Sequence, residues 1–383
     1  DKEGIICKEY APKDKNNIKK DERAFYTKEN ALFLNEYRQA FRNGFLTLDT
    51  GYTEGYKNIT STKTKGSRSH IFADLDLNLN QDETYESNFA LKVQTTSNDT
   101  YLRIHDINTA LVDSENTNLE NEIKYSFSKE DMYFDIYSNA FMDLRQSQNS
   151  DKYEYIFPNI NFGKTFYNNN LGIIDFKSNV FYSNYETNKH KTFLINDITW
   201  NPFTYITQKG FVSSLKGMLR NTNYETKKTK EFKDDNTVNE LNAVLAHSSS
   251  FPMKKDGMNY SNLLSPNFML RYAPAHMRDL SQKDVMLKYS NLYSLNKTSE
   301  IEQGLSAVLG FDFKINEKES GNVEKERLSL SLGQVFNHEE NGDLPSRSSL
   351  DQQTSDLVGE INYNFSEIGE INYQYSLDHN LSD

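Results

Sequence analysis

The strongest constraint on this chain is an apolar side chain at every second position over segments of about ten residues. Between 71 and 80, Ile, Ala and Leu alternate with a mostly polar set, and similar runs recur to the end of the chain. Successive side chains of a β-strand point to opposite faces of a sheet, whereas a helix has a period of 3.6 residues. The pattern therefore predicts strands with one apolar and one polar face.

Clusters of Asn, Asp, Gly, Ser and Lys separate these runs, as is typical of turns. From residue 25 onward we count about sixteen strands. The first two, Ala31–Phe41 and Gly44–Tyr52, are separated only by Arg42 and Asn43, which predicts a hairpin. No fixed internal period is present, which disfavours a solenoid.

The composition decides which kind of β-protein fits. Hydrophobic residues make up only 36% of the chain, which is low for a large soluble core, yet 24 Tyr and 24 Phe are too many for a disordered acidic chain. A transmembrane barrel needs apolar residues only on its outward face, with aromatic residues at both membrane interfaces. We therefore predict an all-β, antiparallel transmembrane β-barrel of the outer-membrane type. A soluble or surface adhesin built of β-sheet is an alternative, and detergent dependence would separate the two.

Strand parity then assigns side chains to lipid or to the lumen of the barrel. The side chains predicted to face the lumen are polar or charged: Asp74, Asp76, Arg271, Asp312, Asn372 and Gln374. Those predicted to face lipid are apolar: Leu75, Leu77, Leu309, Phe311, Ile371 and Tyr373.

The sequence favours no catalytic chemistry. The seven histidines lie far apart, with no HExxH motif or metal-ligand spacing, and the serines near Gly210 do not meet the GxSxG spacing. Cys7 is the only cysteine, so no internal disulfide can form. A net charge of −12 argues against a nucleic-acid partner. We predict a non-enzymatic protein without catalytic residues, cofactor or metal.

The connections between strands differ in length and charge. Thr226–Thr237, Ala275–Ser290 and His338–Thr354 are long and charged, whereas Glu367 lies in a very short link. Outer-membrane barrels have short periplasmic turns and long extracellular loops. We therefore predict the three long loops on the outer side. We also predict that Trp200 is an anchor at a membrane interface, with packing in the lumen as the alternative.

The stretch Leu263–Asn296 is the most specific part of the chain. Pro266 and Pro274 flank an alternating run, and prolines are tolerated at strand ends, so we predict one strand between them. Four further blocks follow in order. The five are SPNFMLRYAP (Ser265–Pro274), NLYSLN (Asn291–Asn296), the strand Gly304–Phe313, SLGQ (Ser331–Gln334) and SDLVGEI (Ser355–Ile361).

This order of blocks resembles the LPS-assembly protein family, the LptD-type outer-membrane barrel, over roughly Phe25 to the C-terminus. The resemblance implies a barrel that inserts lipopolysaccharide (LPS) into the outer leaflet of the Gram-negative outer membrane. The sugar part would pass through the lumen and the acyl chains would leave sideways through a gate between the first and last strands. The implied partners are LPS, a plug-like lipoprotein in the lumen, and periplasmic bridge proteins that bind an N-terminal domain.

A general porin or uptake barrel is the alternative function, since it shares the composition and alternation but not the order of the blocks. For the domain organisation, we expect residues 1–24 to be a disordered or unreliable leader and residues 25–383 to be a partial barrel. We expect the N-terminal periplasmic domain and several strands to be missing. The cysteine pairs of many family members are not matched here.

Overall fold

The computed structural model describes residues 4–9, 30–55, 65–80, 84–145, 152–185, 189–229, 232, 236–274, 277–318, 324–366 and 369–379. Strands dominate these residues. They are β1 (Gly4–Glu9), β2 (Leu32–Phe41), β3 (Gly44–Gly55), β4 (Lys65–Asn78), β5 (Tyr85–Thr96), β6 (Asn118–Lys129), β7 (Met132–Asp143), β8 (Tyr153–Asn168), β9 (Gly172–Tyr185), β10 (Lys189–Asn201), β11 (Tyr205–Ile206), β12 (Val212–Lys227), β13 (Val238–Ser250), β14 (Met253–Asp256), β15 (Tyr260–Ala273), β16 (Gly304–Lys318), β17 (Glu324–Asn337), β18 (Leu357–Ser366) and β19 (Gly369–Leu377).

Helical structure is limited to single turns among the described residues. These are α1 (Tyr101–Ile104), α2 (Tyr289–Leu292) and a 3₁₀ turn at Arg347–Ser349. In the described part of the chain, no helix has the length and apolar character needed to cross a membrane.

The chain divides into two compact units. Unit 1 comprises Asp1–Gly163, Ser178–Phe193 and Glu225–Lys228, and unit 2 comprises Lys164–Lys177, Leu194–Tyr224 and Thr229–Asp383. The strand pairings that the structure registers residue by residue within each unit are antiparallel. The predicted all-β, antiparallel fold class is confirmed.

In unit 1, each strand from β1 to β7 pairs with the next one along the chain. The predicted first hairpin is confirmed: β2 and β3 pair from Phe41 and Gly44 outward, and Arg42 and Asn43 form the turn. Residues Gly4–Glu9 lie in the segment expected to be a disordered leader, yet they pair with β2 as strand β1. The ladder supplies partners for their backbone amides; the rest of that segment lies outside the described residues.

In unit 2, the series β12, β13, β15, β16, β17, β18, β19 pairs in that order, with β11 on β12 and β14 on β15. The prediction that Pro266 begins a strand is wrong, because β15 starts at Tyr260 and runs through it. On one side Pro266 pairs with β16, and on the other it lies between the residues that pair with β14 and those that pair with β13. At this gap the ladder needs no amide donor, which is where proline is tolerated.

Because consecutive paired strands run in opposite directions, the connections alternate between the two ends of unit 2. The connections 228–237, 274–303 and 338–356 therefore lie at one end, which we call the loop end. The paired strand ends Lys318 and Glu324, and Ser366 and Gly369, lie at the other end. The three loops predicted to share a side thus follow strands that point the same way; that this side is the cell exterior stays a prediction. Glu367 lies outside the described residues.

Each unit has its own buried apolar cluster. In unit 1 the cluster joins Phe72 of β4 to Tyr101 and Leu102 of α1. In unit 2 it joins strand residues to residues of the connections 274–303 and 338–356. Both clusters therefore form where a long connection folds onto strands.

Candidate functional site

The register of unit 2 places its four predicted lumen residues on one face. Arg271 pairs with Ser306 across β15 and β16. A row of directly paired residues crosses the sheet from Asp312 of β16 to Gln374 of β19. The next row on the same face ends at Asn372 of β19. We call the face with these four residues the polar face of unit 2. The residues linking Asp312 to Gln374 are Ser331 and Glu360, and those that precede Asn372 are Lys314, Ser329 and Asn362.

The opposite side, which we call the apolar face of unit 2, carries Leu309, Phe311, Ile371 and Tyr373. Its large apolar side chains are extensively exposed. Eleven of them, spread over six of the paired strands, are 37–61% exposed: Leu219, Leu241, Leu245, Leu264, Leu270, Tyr272, Leu305, Leu309, Tyr363, Ile371 and Tyr373. Soluble monomers rarely expose so large a continuous apolar surface. This face therefore requires lipid or another apolar cover.

Unit 1 has the same two-sided organisation. Asp74 pairs with Thr47 on β3 and with Lys92 on β5, whereas Leu75 pairs with Leu46 and Leu91. Asp76 shares the face of Asp74 and is exposed, and Leu77 shares the face of Leu75. The polar residues are linked across strands: Lys92 Nζ lies 3.1 Å from Glu120, and Asn139 donates to both Glu120 and Glu122 at 3.3 Å. The register thus places all six predicted lumen residues on a polar face and all six predicted lipid residues on an apolar face. Their contact with a lumen or with lipid stays a prediction.

At the loop end of unit 2, the polar face is not open to water. Two segments, 277–303 and 338–356, fold back over it, and we call them the loop cover. Leu287, Leu292 and Leu350 of the loop cover are at most 4% exposed. They belong to one cluster with strand residues that have the parity of Arg271, namely Val244, Ala246, Met269, Ala273, Val308, Val335 and Val358. The long loops at this end are in part a hydrophobic lining of the sheet.

The two segments of the loop cover bind each other. The amide of Leu280 donates to the carbonyl oxygen of Asp343 at 2.7 Å, and the amide of Leu287 donates to Ser348 Oγ at 3.1 Å. An ion pair joins Asp284 to Arg347. The loop cover is therefore one packed substructure, although most of it has no regular secondary structure.

Two glycines make room for α2 on the sheet. Gly310 of β16 and Gly333 of β17 are directly opposite each other on the polar face. A Cβ on Gly310 would lie 2.5 Å from the hydroxyl oxygen of Tyr293, and a Cβ on Gly333 would overlap Cδ2 of Leu292. Any side chain at either position would push α2 off the sheet. The glycines of two predicted strands are thus explained by close approach of the NLYSLN block.

Asp312 holds α2 against the strands. Its Oδ1 accepts hydrogen bonds from the Tyr289 hydroxyl at 2.8 Å and from Ser331 Oγ at 2.6 Å, and its Oδ2 accepts one from Asn267 Nδ2 at 2.6 Å. Burial, together with the neighbouring Asp312 carboxylate, raises the pKa of the Tyr289 hydroxyl well above its ordinary value, so it remains a donor. Asp312, which is predicted to face the lumen, forms a hydrogen-bonded link between the loop cover and the sheet.

Arg271 is likewise buried, and its prediction as a lumen residue stays untested. Only 2% of its surface is accessible. Its guanidinium donates to the carbonyl oxygens of Leu295 and Glu302, both at 2.8 Å, and lies 3.0 Å from the Glu302 carboxylate. A buried guanidinium is tolerated because these acceptors replace water. Arg271 therefore fastens the segment 295–302 to β15.

A second charged network fastens the loop cover at its edge. Arg278 lies 3.2 Å from Glu240 of β13 and 3.1 Å from Glu300, and its guanidinium stacks 4.4 Å from the ring centre of Phe232. Arg220 of β12 pairs with Asp197 at 2.7 Å. The side chains of these pairs are only 13–21% exposed, so removing one partner would leave its counter-ion largely buried and unpaired.

In unit 1, the connection 97–117 covers part of the polar face in a comparable way. The buried His70 of β4 lies 2.8 Å from Asp49 through Nε2 and 3.3 Å from the Tyr101 hydroxyl through Nδ1. Its ring also stacks on Phe72 at 4.4 Å. His70 therefore links α1 to the strands from a buried position.

Trp200 lies beside the apolar face of unit 2. Its indole Nε1 donates to the carbonyl oxygen of Leu171 at 2.8 Å, and its ring lies 3.5 Å from the position that a Cβ on Gly217 of the apolar face would take. Exposed aromatic and apolar residues accompany it at the same strand ends: Phe166, Tyr167, Phe203, Tyr205, Ile206 and Phe211. Such a cluster matches the aromatic girdle of a membrane interface, and the anchor role stays a prediction.

Among the described residues, one group has the spacing of metal ligands. The ligand atoms of Asp356, Asp378 and His379 lie within 4.8 Å of one another. Asp356 also accepts hydrogen bonds from Ser349 Oγ at 2.8 Å and Ser376 Oγ at 3.2 Å. These bonds join β19 to the loop cover.

Sequence reasoning missed the loop cover and two residues that fasten it, Tyr289 and Glu302. A signal was available in two places. The first is a set of apolar residues within a charged loop: Leu280, Leu287, Leu292, Leu295 and Ile301. The second is the presence of valine or methionine near strand ends, at alternate positions that are otherwise polar. Both features indicate a contact between loop and sheet.

An antiparallel β-protein whose sheet has an exposed apolar face and a polar face has the organisation of an outer-membrane β-barrel. The chain belongs to the LptD family, described as LPS transport system D, whose sequence model matches residues 66–383. No curated protein matches the chain. The five blocks that carried the resemblance converge in space: β15, α2, β16, β17 and β18 together form and hold the loop cover.

Proposed function

We propose that this chain is the barrel component that inserts LPS into the outer leaflet of the Gram-negative outer membrane. The observation that carries the proposal is the sorting of side chains in both units, with an exposed apolar face and a polar face that carries most of the charged and amide residues. Family membership at the level of LPS transport supports it. A chain that supplies such a path needs no catalytic residue, so we propose a non-enzymatic role.

The polar side chains provide the chemistry that a sugar-rich molecule needs. Exposed carboxylates and amides such as Asp76, Asn372 and Gln374 exchange hydrogen bonds with hydroxyl groups at little net cost. The acyl chains of LPS instead match the apolar face. We propose that the six residues Asp74, Asp76, Arg271, Asp312, Asn372 and Gln374 face the lumen, with Arg271 and Asp312 beneath the loop cover.

The partners in this proposal are LPS, a plug-like lipoprotein in the lumen, and periplasmic bridge proteins. The alternative, a general porin or uptake barrel, would have the same faces but would not carry LPS. Contact with LPS in transit therefore separates the two functions.

Photo-crosslinking in cells tests the proposal. A photoreactive residue at Asp76 or Gln374 of the full-length protein is expected to capture LPS while cells synthesise it, and to stop doing so soon after synthesis is blocked. The matched position Tyr373, on the apolar face, touches resident LPS and should keep its crosslink. If the polar positions capture no LPS, or capture it equally after the block, the transport role is wrong and the porin alternative gains support.

A further inference from the structure

Three side chains with metal-ligating atoms meet where β19 ends beside the loop cover. The pairing of β18 with β19 ends at Leu357 opposite Leu377, so Asp356 and Asp378 come next to each other on the parity of the polar face of unit 2. His379 follows in a bend. One ligand atom from each of Asp356, Asp378 and His379 lies within 4.8 Å of the other two. The sequence predicts no metal site because only strand pairing brings these residues together.

The imidazole of His379 provides the observation that points to a ligand. Its Nδ1 is buried, and among the described residues it makes no hydrogen bond. A buried nitrogen without a partner is costly, and a metal ion would satisfy it. This nitrogen lies 3.4 Å from Oδ1 of Asp378. The separation matches the edge of a zinc tetrahedron, since bonds of about 2.0–2.2 Å place neighbouring ligands about 3.3–3.6 Å apart.

The carboxylate of Asp356 is held in place by neutral groups. Its Oδ1 accepts a hydrogen bond from Ser349 Oγ at 2.8 Å, and its Oδ2 accepts one from Ser376 Oγ at 3.2 Å. The backbone amide of Asp356 donates to the carbonyl oxygen of Ser348 at 3.0 Å. Such outer hydrogen bonds are typical of carboxylates that ligate a metal. Because the serine hydroxyls carry no charge, they orient Asp356 without relieving its repulsion from the neighbouring carboxylate of Asp378.

We propose that Asp356, Asp378 and His379 bind one divalent transition-metal ion, and that this ion is zinc. Two carboxylate oxygens and an imidazole nitrogen match zinc, whereas Mg²⁺ and Ca²⁺ take oxygen ligands. The side chain of Asp378 is 72% exposed, so its carboxylate can rotate to close the site, and a water molecule takes the fourth position. The bound ion neutralises the two carboxylates and fastens the end of β19 to the loop cover.

Zinc binding by the tag-free, EDTA-treated full-length protein in detergent tests this proposal. Isothermal titration calorimetry should show a saturable zinc site that excess Mg²⁺ or Ca²⁺ does not compete for. Asp378→Asn and His379→Gln should each weaken binding at least tenfold, since loss of even an outer hydrogen-bond partner costs about 10–100-fold in metal affinity. The matched control is His338→Gln, which should bind zinc like the native protein. The imidazole of His338 also lies near a carboxylate, 3.9 Å from Glu339, but outside the cluster.

Four results would overturn the proposal. They are no saturable zinc binding by the native protein, displacement of zinc by Mg²⁺ or Ca²⁺, unchanged affinity in Asp378→Asn and His379→Gln, and an equal loss of affinity in His338→Gln. If neither cluster variant folds, X-ray absorption by the zinc-loaded native protein decides the question. A shell of four oxygen or nitrogen ligands at about 2.0–2.1 Å that includes one imidazole supports the site, and any other number of imidazoles refutes it. An ion pair between protonated His379 and Asp378, without a metal, would give no zinc binding.

Discussion

Arg271→Met is expected to destabilise the protein by about 3–5 kcal/mol, the loss typical of removing one partner of a buried ion pair. The carboxylate of Glu302 would lose its guanidinium, and the carbonyl oxygens of Leu295 and Glu302 would lose their donors inside the loop cover. Urea unfolding of the detergent-solubilised protein, followed by β-sheet circular dichroism, measures the change. Protease sensitivity of 277–303 should rise in parallel.

Lys314→Met is the matched control. Lys314 lies on the same polar face and pairs with Glu326 at 2.6 Å, but its side chain is 40% exposed. Loss of such an exposed pair costs only about 0–1 kcal/mol. The double variant Arg271→Met with Glu302→Gln should recover part of the loss, because no carboxylate is left unpaired. Equal stability of Arg271→Met and Lys314→Met would show that Arg271 does not fasten the loop cover.

Leu309→Lys is expected to cost about 2–4 kcal/mol in a membrane or detergent micelle, the range for a cation on the lipid face near the middle of a strand. Leu309 is 50% exposed on the apolar face, so the loss comes from placing a charge in hydrocarbon and not from opening a cavity. Gln374→Lys is the control, because Gln374 is exposed on the polar face opposite Glu360. The control should change the unfolding free energy by less than 1 kcal/mol, as an exposed ion pair does.

The comparison also distinguishes a membrane protein from a soluble one. In a soluble β-protein, a lysine at an exposed leucine would be neutral or favourable. A Leu309→Lys variant as stable as Gln374→Lys would therefore contradict the lipid contact of the apolar face and favour the soluble adhesin that composition alone left open.

Much of the fold followed from period-two alternation. Parity alone sorts Leu75 from Asp76 and Tyr373 from Gln374, since a strand has only two faces and the register preserves them. The Arg42–Asn43 turn was predictable for the same reason, because two alternating runs separated by two residues leave little freedom.

What parity cannot predict is how a loop folds. The loop cover has no repeating pattern, and its contacts join residues far apart in sequence, such as Leu292 with Gly333 and Tyr289 with Asp312. Parity placed Arg271 on the polar face, but for this reason its burial beneath the segment 295–302 could not be predicted. The prediction for Pro266 failed for a related reason. Its missing amide matters only if a neighbouring strand needs a donor there, and that depends on where β13 ends and β14 begins.

A cysteine scan tests the central claim, that alternate residues face lipid and water. In a Cys7→Ser background, single cysteines would be placed at the eight positions 74–77 and 371–374 of the full-length membrane-inserted protein. A lipid-soluble maleimide should label Leu75, Leu77, Ile371 and Tyr373, and a water-soluble one Asp74, Asp76, Asn372 and Gln374. Labelling that does not follow parity, or water-soluble labelling at all eight positions, would contradict the account.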